Sequence, residues 1–239
     1  MTIKEMHYDL NLKLNKLDSQ KYKNLRVPEK DWKLNEAMEL YIKLIAQPRY
    51  RPQGFEYVQR TTDDIRTVVV NTLDPGLAAY YVGNNSYTVT LPGDYMYLVG
   101  VEKITATKGP CKEVQMELIH VVQHDDSVEA SPFDSSSFEW KEVNCRFYED
   151  GLRIFTDGTF AIDKVCLNYI RKPKFMHNAE DFPGGKYQAL NGQMLTGTQD
   201  CELPWQTHSE IVDLAALIIS GDIQLSDFGF KQAKVKITE

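Results

Sequence analysis

His208, Glu210 and Asp213 fall within six residues in "ELPWQTHSEIVDLAALIISGDI" (202–223). Such residues hold metals or move protons when their side chains converge. A helix turns about 100° per residue, which puts His208 and Glu210 on nearly opposite faces and Asp213 well away from His208. The three therefore cannot meet at one atom. Thr207 and Glu210 have the spacing of a capping box, so a helix is expected to start at Thr207 and to close at Gly221. Ser209, Asp213, Ala216 and Ser220 form a narrow stripe on it. Ile211, Val212, Leu214, Ala215, Leu217, Ile218 and Ile219 cover the rest. A helix this apolar belongs in a core or between subunits, and it is too short to span a bilayer. The expectation is a buried closing helix built on Ile211, Val212, Leu214, Leu217 and Ile218.

The other reactive residue types are equally scattered. His120 and His124 are four apart, a metal-ligand spacing on a helix, but "VQMELIHVVQHDD" lacks the glutamate of H-E-x-x-H and reads as a strand. On a strand, residues four apart lie about 13 Å from each other. "FPGGKY" (182–187) lacks the spacing and the Ser or Thr of a phosphate loop. Asp63-Asp64 and Asp125-Asp126 sit in no loop of regular calcium spacing. Cys111, Cys145, Cys166 and Cys201 contain no C-x-x-C pair, and no secretory signal is read in "MTIKEMHYDLNLKL", so reduced and mostly buried thiols are expected. No G-x-S-x-G occurs and no Cys stands beside a His. These absences lead us to expect neither an enzyme, nor a bound metal, nor a cofactor.

Composition bounds the class. The 239 residues suit one large domain or two small ones, and 42% hydrophobic with 26% charged residues is ordinary for a globular chain. A net charge of −7 argues against a nucleic-acid clamp. Thirteen Tyr and ten Phe are a generous supply for cores and interfaces.

The elements follow from periodicity. Leu10, Leu14 and Leu17 have helical spacing, with Met6 and Leu12 widening the face and the neighbouring lysines solvated. Pro28, Glu29 and Asp31 suit a helix start, and Leu34, Met38, Tyr41, Ile42 and Ile45 form one stripe of a helix stopped by Pro48. From about residue 57 the period changes. "IRTVVVNTL", "SYTVTL", "YMYLVGVEKITAT", "KEVQMELIHVV", "FEWKEVNCRFY", "LRIFT" and "AIDKVCLNYI" read as strands, with tight hairpins at Asp150-Gly151 and Asp157-Gly158. Residues 125–137 are a polar loop, and the chain after Lys172-Pro173 is loop-rich up to residue 207.

The predicted fold is α+β: a helical bundle from 1–56 and 174–224, and an inserted antiparallel β-sandwich or barrel over 57–173. Residues 225–239 follow as a C-terminal docking arm. There Phe228 and Phe230 share a face if extended, and Val235 and Ile237 alternate with Lys234 and Lys236, as in a strand added to another sheet's edge.

Three stretches together carry a resemblance: "LNKLDSQKYKNLRVPEKDWKLNEAMELYIKLIAQPR" (14–49), "FEWKEVNCRFYEDGLRIFTDGTFAIDKVCLNYIRKPK" (138–174) and "QDCELPWQTHSEIVDLAALIISGDIQ" (199–224). Their wording resembles the ring, or head-to-tail adaptor, proteins of crAss-like bacteriophages, in particular the first ring below the portal. The resemblance implies a virion neck component: a ring of twelve subunits contacting the portal and the next ring or tail proteins. Genomic DNA would pass through its channel without specific binding, and no membrane is involved. It also implies that the arm meets the portal or a neighbouring subunit. The alternative from another class is a carbohydrate- or receptor-binding β-sandwich of a phage particle. That reading favours aromatic residues gathered on one sheet face, whereas Trp32, Trp140 and Trp205 are scattered.

Overall fold

Thr2 opens the first helix with a reciprocal cap: its N–H donates to Glu5 Oε2 (2.8 Å) and the Glu5 N–H donates to Thr2 Oγ1 (3.4 Å). The helix, α1 (Ile3–Asn15), buries Ile3, Met6, Leu10 and Leu14, while Leu12, expected to widen that face, is 40% exposed. α2 (Val27–Ala46) carries Pro28 in its first turn and buries Leu34, Met38, Tyr41 and Ile42, with Ile45 half-buried. The computed structural model describes residues 1–15, 25–46, 63–72, 76–109, 111–120, 135–149 and 151–222, with 100–102, 111–120 and the two terminal positions 15 and 222 described by backbone alone. Leu17, Pro48, His124, Asp125-Asp126 and the arm residues Phe228, Phe230, Lys234, Val235, Lys236 and Ile237 lie outside the described residues.

The chain divides into two compact units, Met1–Val68 with Pro173–Glu239, and Val69–Lys172. The second unit is a large curled sheet, largely antiparallel. Its strands are β1 (Val69–Asn71), β2 (Leu77–Gly83), β3 (Ser86–Val89), β4 (Tyr95–Lys108), β5 (Cys111–His120), β6 (Glu142–Tyr148), β7 (Gly151–Phe155) and β8 (Ala161–Arg171). They run in the order β1–β8–β2–β3–β7–β6–β5–β4, and β4 pairs in turn with β8. The long β8 carries β1 and β2 on one edge and β4 on the other, so the sheet rolls around its own core instead of splitting into the two faced sheets of a sandwich. Ile104, Val143, Leu152, Ile154, Val165 and Leu167 fill that core. β5 and β6 are parallel, the exception to the expected antiparallel pattern.

β6 and β7 form the hairpin expected there, but Gly151 lies opposite Tyr148 as the first residue of β7, not in the turn. Asp157-Gly158 does not make one. β7 pairs with β3 and β6, and β8 with β1, β2 and β4, so residues 156–160 cross from one set of strands to the other. Asp157 holds that turn by accepting from the Thr159 N–H at 2.7 Å. β2, which has no counterpart among the expected strands, forms from the Ala-rich "LAAYYVG".

The first unit combines α1, α2 and α3 (His208–Asp222) with four short strands in the stretch expected to be loops. These are β9 (His177–Asn178), β10 (Lys186–Gln188), β11 (Met194–Thr196) and β12 (Thr198–Gln199), paired β10–β11 and β12–β9. α3 packs on both α1 and α2. It is entered through a 3-10 turn, Trp205–Thr207, in which the Thr207 hydroxyl donates to the Pro204 carbonyl at 2.8 Å. Among the described residues no helix is long and apolar enough to cross a membrane.

Candidate functional site

The densest polar constellation in the first unit is centred on Asp31, which is fully buried. Asp31 lies just past the first turn of α2, and its side chain points inward and collects donors from three directions. Oδ1 meets His7 Nε2 of α1 at 2.7 Å. Oδ2 accepts from the Tyr187 hydroxyl of β10 at 2.6 Å and from the Asn178 N–H of β9 at 3.1 Å. One turn along α2, Asn35 donates to the carbonyls of Asp31 (2.7 Å) and Met176 (2.8 Å) and accepts from the Met176 N–H (2.9 Å). His7 and Tyr187 are 6% and 7% exposed, so the cluster is shut away from solvent.

A carboxylate, an imidazole and a phenol are a proton-transfer set in kind. Their arrangement here serves another purpose. The Asp31 oxygens are occupied by protein donors, and burial, followed by the hydrogen bond to Asp31, raises the Tyr187 phenol above its ordinary value. The phenol therefore stays protonated and keeps donating. The result is a bolt that fixes α1, α2, β9 and β10 to one point. Sequence reading took Asp31 for a charge complementing the helix dipole; His7 and Tyr187 are 24 and 156 residues from it, and no local pattern joins them.

The bolt positions the β10–β11 ribbon. Tyr187 and Leu195 turn inward with Ala179, against Phe175, Phe182 and Val27. The tip closes on itself: Ala189 N–H to Gln193 O (2.9 Å), Gly192 N–H to Ala189 O (2.9 Å), Gln193 N–H to Asn191 Oδ1 (3.0 Å) and Gln188 Nε2 to Gly192 O (3.1 Å). From it project Leu190, 82% exposed, and Met194, 53% exposed. Residues 187–199 contain no charged side chain.

The second unit carries a similar feature. β2 and β3 join through Asn84 and Asn85, with φ of 48° and 53°, the paired left-handed conformation of a tight hairpin. The Asn85 carbonyl accepts from both the N–H (2.8 Å) and the hydroxyl (3.0 Å) of Thr156, fixing the tip. Tyr80, Tyr81 and Val82 are 63%, 61% and 52% exposed, with Tyr81 packed edge-on to Tyr87. Residues 75–93 carry no charge. Tyr80 lies opposite Thr88, Thr88 opposite Arg153 and Arg153 opposite Arg146, one row across four strands. Both guanidinium groups stand over the Tyr148 ring, at 4.4 Å for Arg153 and 5.3 Å for Arg146.

The closing helix places Ile211, Val212 and Leu214 in the interior, while Leu217 and Ile218 are half-buried. Its stripe splits. Ser209 is exposed, Asp213 pairs with Lys13 of α1 at 3.2 Å, and Ala216 and Ser220 are buried, with the Ser220 hydroxyl donating to the Ala216 carbonyl. His208 points away from Glu210's face to meet the Leu203 carbonyl through Nε2 (2.8 Å) and the Met1 nitrogen through Nδ1 (2.9 Å). Asp63 pairs with Arg66, and Asp64 accepts from Gln206 Nε2 at 3.0 Å. Gly184 and Gly185, both at positive φ, turn the chain into β10. Cys145 and Cys166 are buried; burial pushes the Cys145 thiol up to about 12 and the half-buried Cys201 thiol up to about 11. Thiols held that high are not nucleophiles at neutral pH. Among the described residues no group of three His, Cys, Asp or Glu side chains is placed to hold a metal ion.

No protein-family model matches this sequence, and no curated protein matches it.

Proposed function

We propose that the chain is a structural subunit of a phage head-to-tail connector: a ring, twelve copies in the resembled family, that sits below the portal and extends the DNA channel. In this reading α1, α2 and α3 serve as the helical part of each subunit and the curled sheet as its second domain. The observation that carries the reading is where the chain spends its polar and apolar groups. Among the described residues the Asp31 cluster is consumed inside the first unit, whereas the uncharged stretches 75–93 and 187–199, which hold the β2–β3 and β10–β11 tips, expose Tyr80, Tyr81 and Val82, and Leu190 and Met194. Tyr-rich surfaces of this kind suit burial between proteins. An acidic chain also suits a channel wall, because carboxylates avoid the phosphate contacts that hold DNA in place.

Labelling purified phage particles with an antibody to this chain tests the reading. The label is expected at the neck between capsid and tail. Label on the capsid surface or at fibre tips would replace the connector with the carbohydrate- or receptor-binding alternative.

A further inference from the structure

Arg146 of β6 and Arg153 of β7 lie directly opposite each other in the antiparallel ladder. Opposed residues of such a pair have Cα atoms about 4.5–5.5 Å apart, and two like charges there repel. Side chains alternate along a strand, and Cys145, Phe147, Leu152 and Ile154 take the core side. Both arginines therefore stand on the outer face, where each is half-buried. Tyr148 gathers them: its ring centre lies 4.4 Å from the Arg153 guanidinium and 5.3 Å from that of Arg146. A guanidinium that stacks on a ring keeps its in-plane N–H donors for other partners. Among the described residues no carboxylate pairs with Arg146 and no acceptor takes its N–H groups. Glu142 shares its face but lies four residues, about 13 Å, along β6. Glu149 is exposed at the turn and makes no ion pair among the described residues.

From this geometry we infer that Arg146 and Arg153 form a binding site for a phosphate monoester group. A carboxylate, with two oxygens and one charge, is satisfied by a single guanidinium fork. A phosphate monoester brings three free oxygens and a charge of about −1.5 to −2, so it matches two forks and offsets the repulsion between them. Tyr148 holds the forks in place before the ligand arrives, which lowers the ordering cost of binding. The row continues from Arg153 through Thr88 to Tyr80, whose side chain is 63% exposed. Tyr80 is two strand spacings, about 10 Å, from Arg153, so a phosphate carried by a nucleoside has an aromatic surface within reach of its base. The site belongs to the curled sheet alone and does not depend on the connector reading.

Calorimetric titration of the full chain with inorganic phosphate, at constant ionic strength and against chloride, tests it. Saturable binding with a Kd on the order of 1 mM is expected, weakened about 10-fold or more in R146Q and in R153Q. R146K keeps the charge but loses the fork, so it is expected to weaken binding as well. It takes the place of R146Q if circular dichroism shows that variant to be unfolded. Adenosine monophosphate distinguishes the source of the group. Tighter binding than phosphate that falls back to the phosphate value in Y80S assigns the site to a nucleoside phosphate, and equal binding assigns it to phosphate itself. No saturable binding up to about 20 mM, binding unchanged in the arginine variants, or acetate bound as tightly as phosphate overturns the site.

Discussion

The two uncharged hairpins reach the same surface character by different supports. The β2–β3 hairpin lies inside the curled sheet, paired to β8 on one side and β7 on the other, so its position is set by backbone ladders. The β10–β11 ribbon has no neighbouring strand in its two-stranded sheet and is held by side chains, chiefly the Tyr187–Asp31 bond and the Tyr187–Leu195 cluster. Ladder support spreads the load over many bonds. Side-chain support concentrates it at one buried carboxylate, which makes the second hairpin the easier to unseat.

The sharpest way to break that comparison is Asp31→Ala. It leaves His7, Tyr187 and the Asn178 N–H without their acceptor inside the unit. The expected loss is about 3–5 kcal/mol in urea unfolding, with hydrogen exchange rising in β10–β11 before the curled sheet. Exchange that rises equally in both hairpins would contradict the difference in support. The sheet side has its own weak point at Gly151, where φ is 136° and an added Cβ would run into the Val89 carbonyl oxygen. Gly151→Ala is expected to cost about 2–3 kcal/mol and to loosen β3 and β7 while sparing the ribbon.

Tyr187→Phe removes one donor and is expected to cost about 1–2 kcal/mol near neutral pH. Its pH signature is more telling. The folded phenol sits above the ordinary 10.0 because of burial and then Asp31, so the unfolded chain ionises first. The stabilisation is complete below pH 10 and is lost as pH climbs past it toward the folded value, by about 1.4 kcal/mol per pH unit. The Phe variant should lack that alkaline limb; an unchanged alkaline profile would mean the bond is not formed. The smallest effects are expected at the tips. Tyr80→Ser and Leu190→Ser should each change monomer stability by no more than about 0.5 kcal/mol, measured by thermal unfolding at low concentration.

What was legible in the sequence follows the same division. Strands β3, β4, β7 and β8 could be read because β-branched and aromatic residues dominate them, and α2 because its stripe is long. β2 was hidden by its alanines, which look helical out of context, and by exposure on both faces of "AYYV". Strands of two or three residues such as β9 to β12 carry too few positions for a period; β9 and β10 are tied to α2 through Asp31, which accepts from Asn178 and Tyr187. The curl of the sheet depends on β8 pairing on both edges, a partner choice no local pattern encodes. The Asp31 cluster was invisible for the same reason. Phe182-Pro183-Gly184-Gly185, expected only as part of a loop, makes a turn that feeds β10.

Light scattering coupled to negative-stain microscopy, on the purified chain alone and with the portal from the same particle, tests the central claim most directly. The account predicts a closed ring, about 330 kDa for twelve copies of a 27.5 kDa chain, that seats on the portal. A species that stays at 27.5 kDa under both conditions would contradict it.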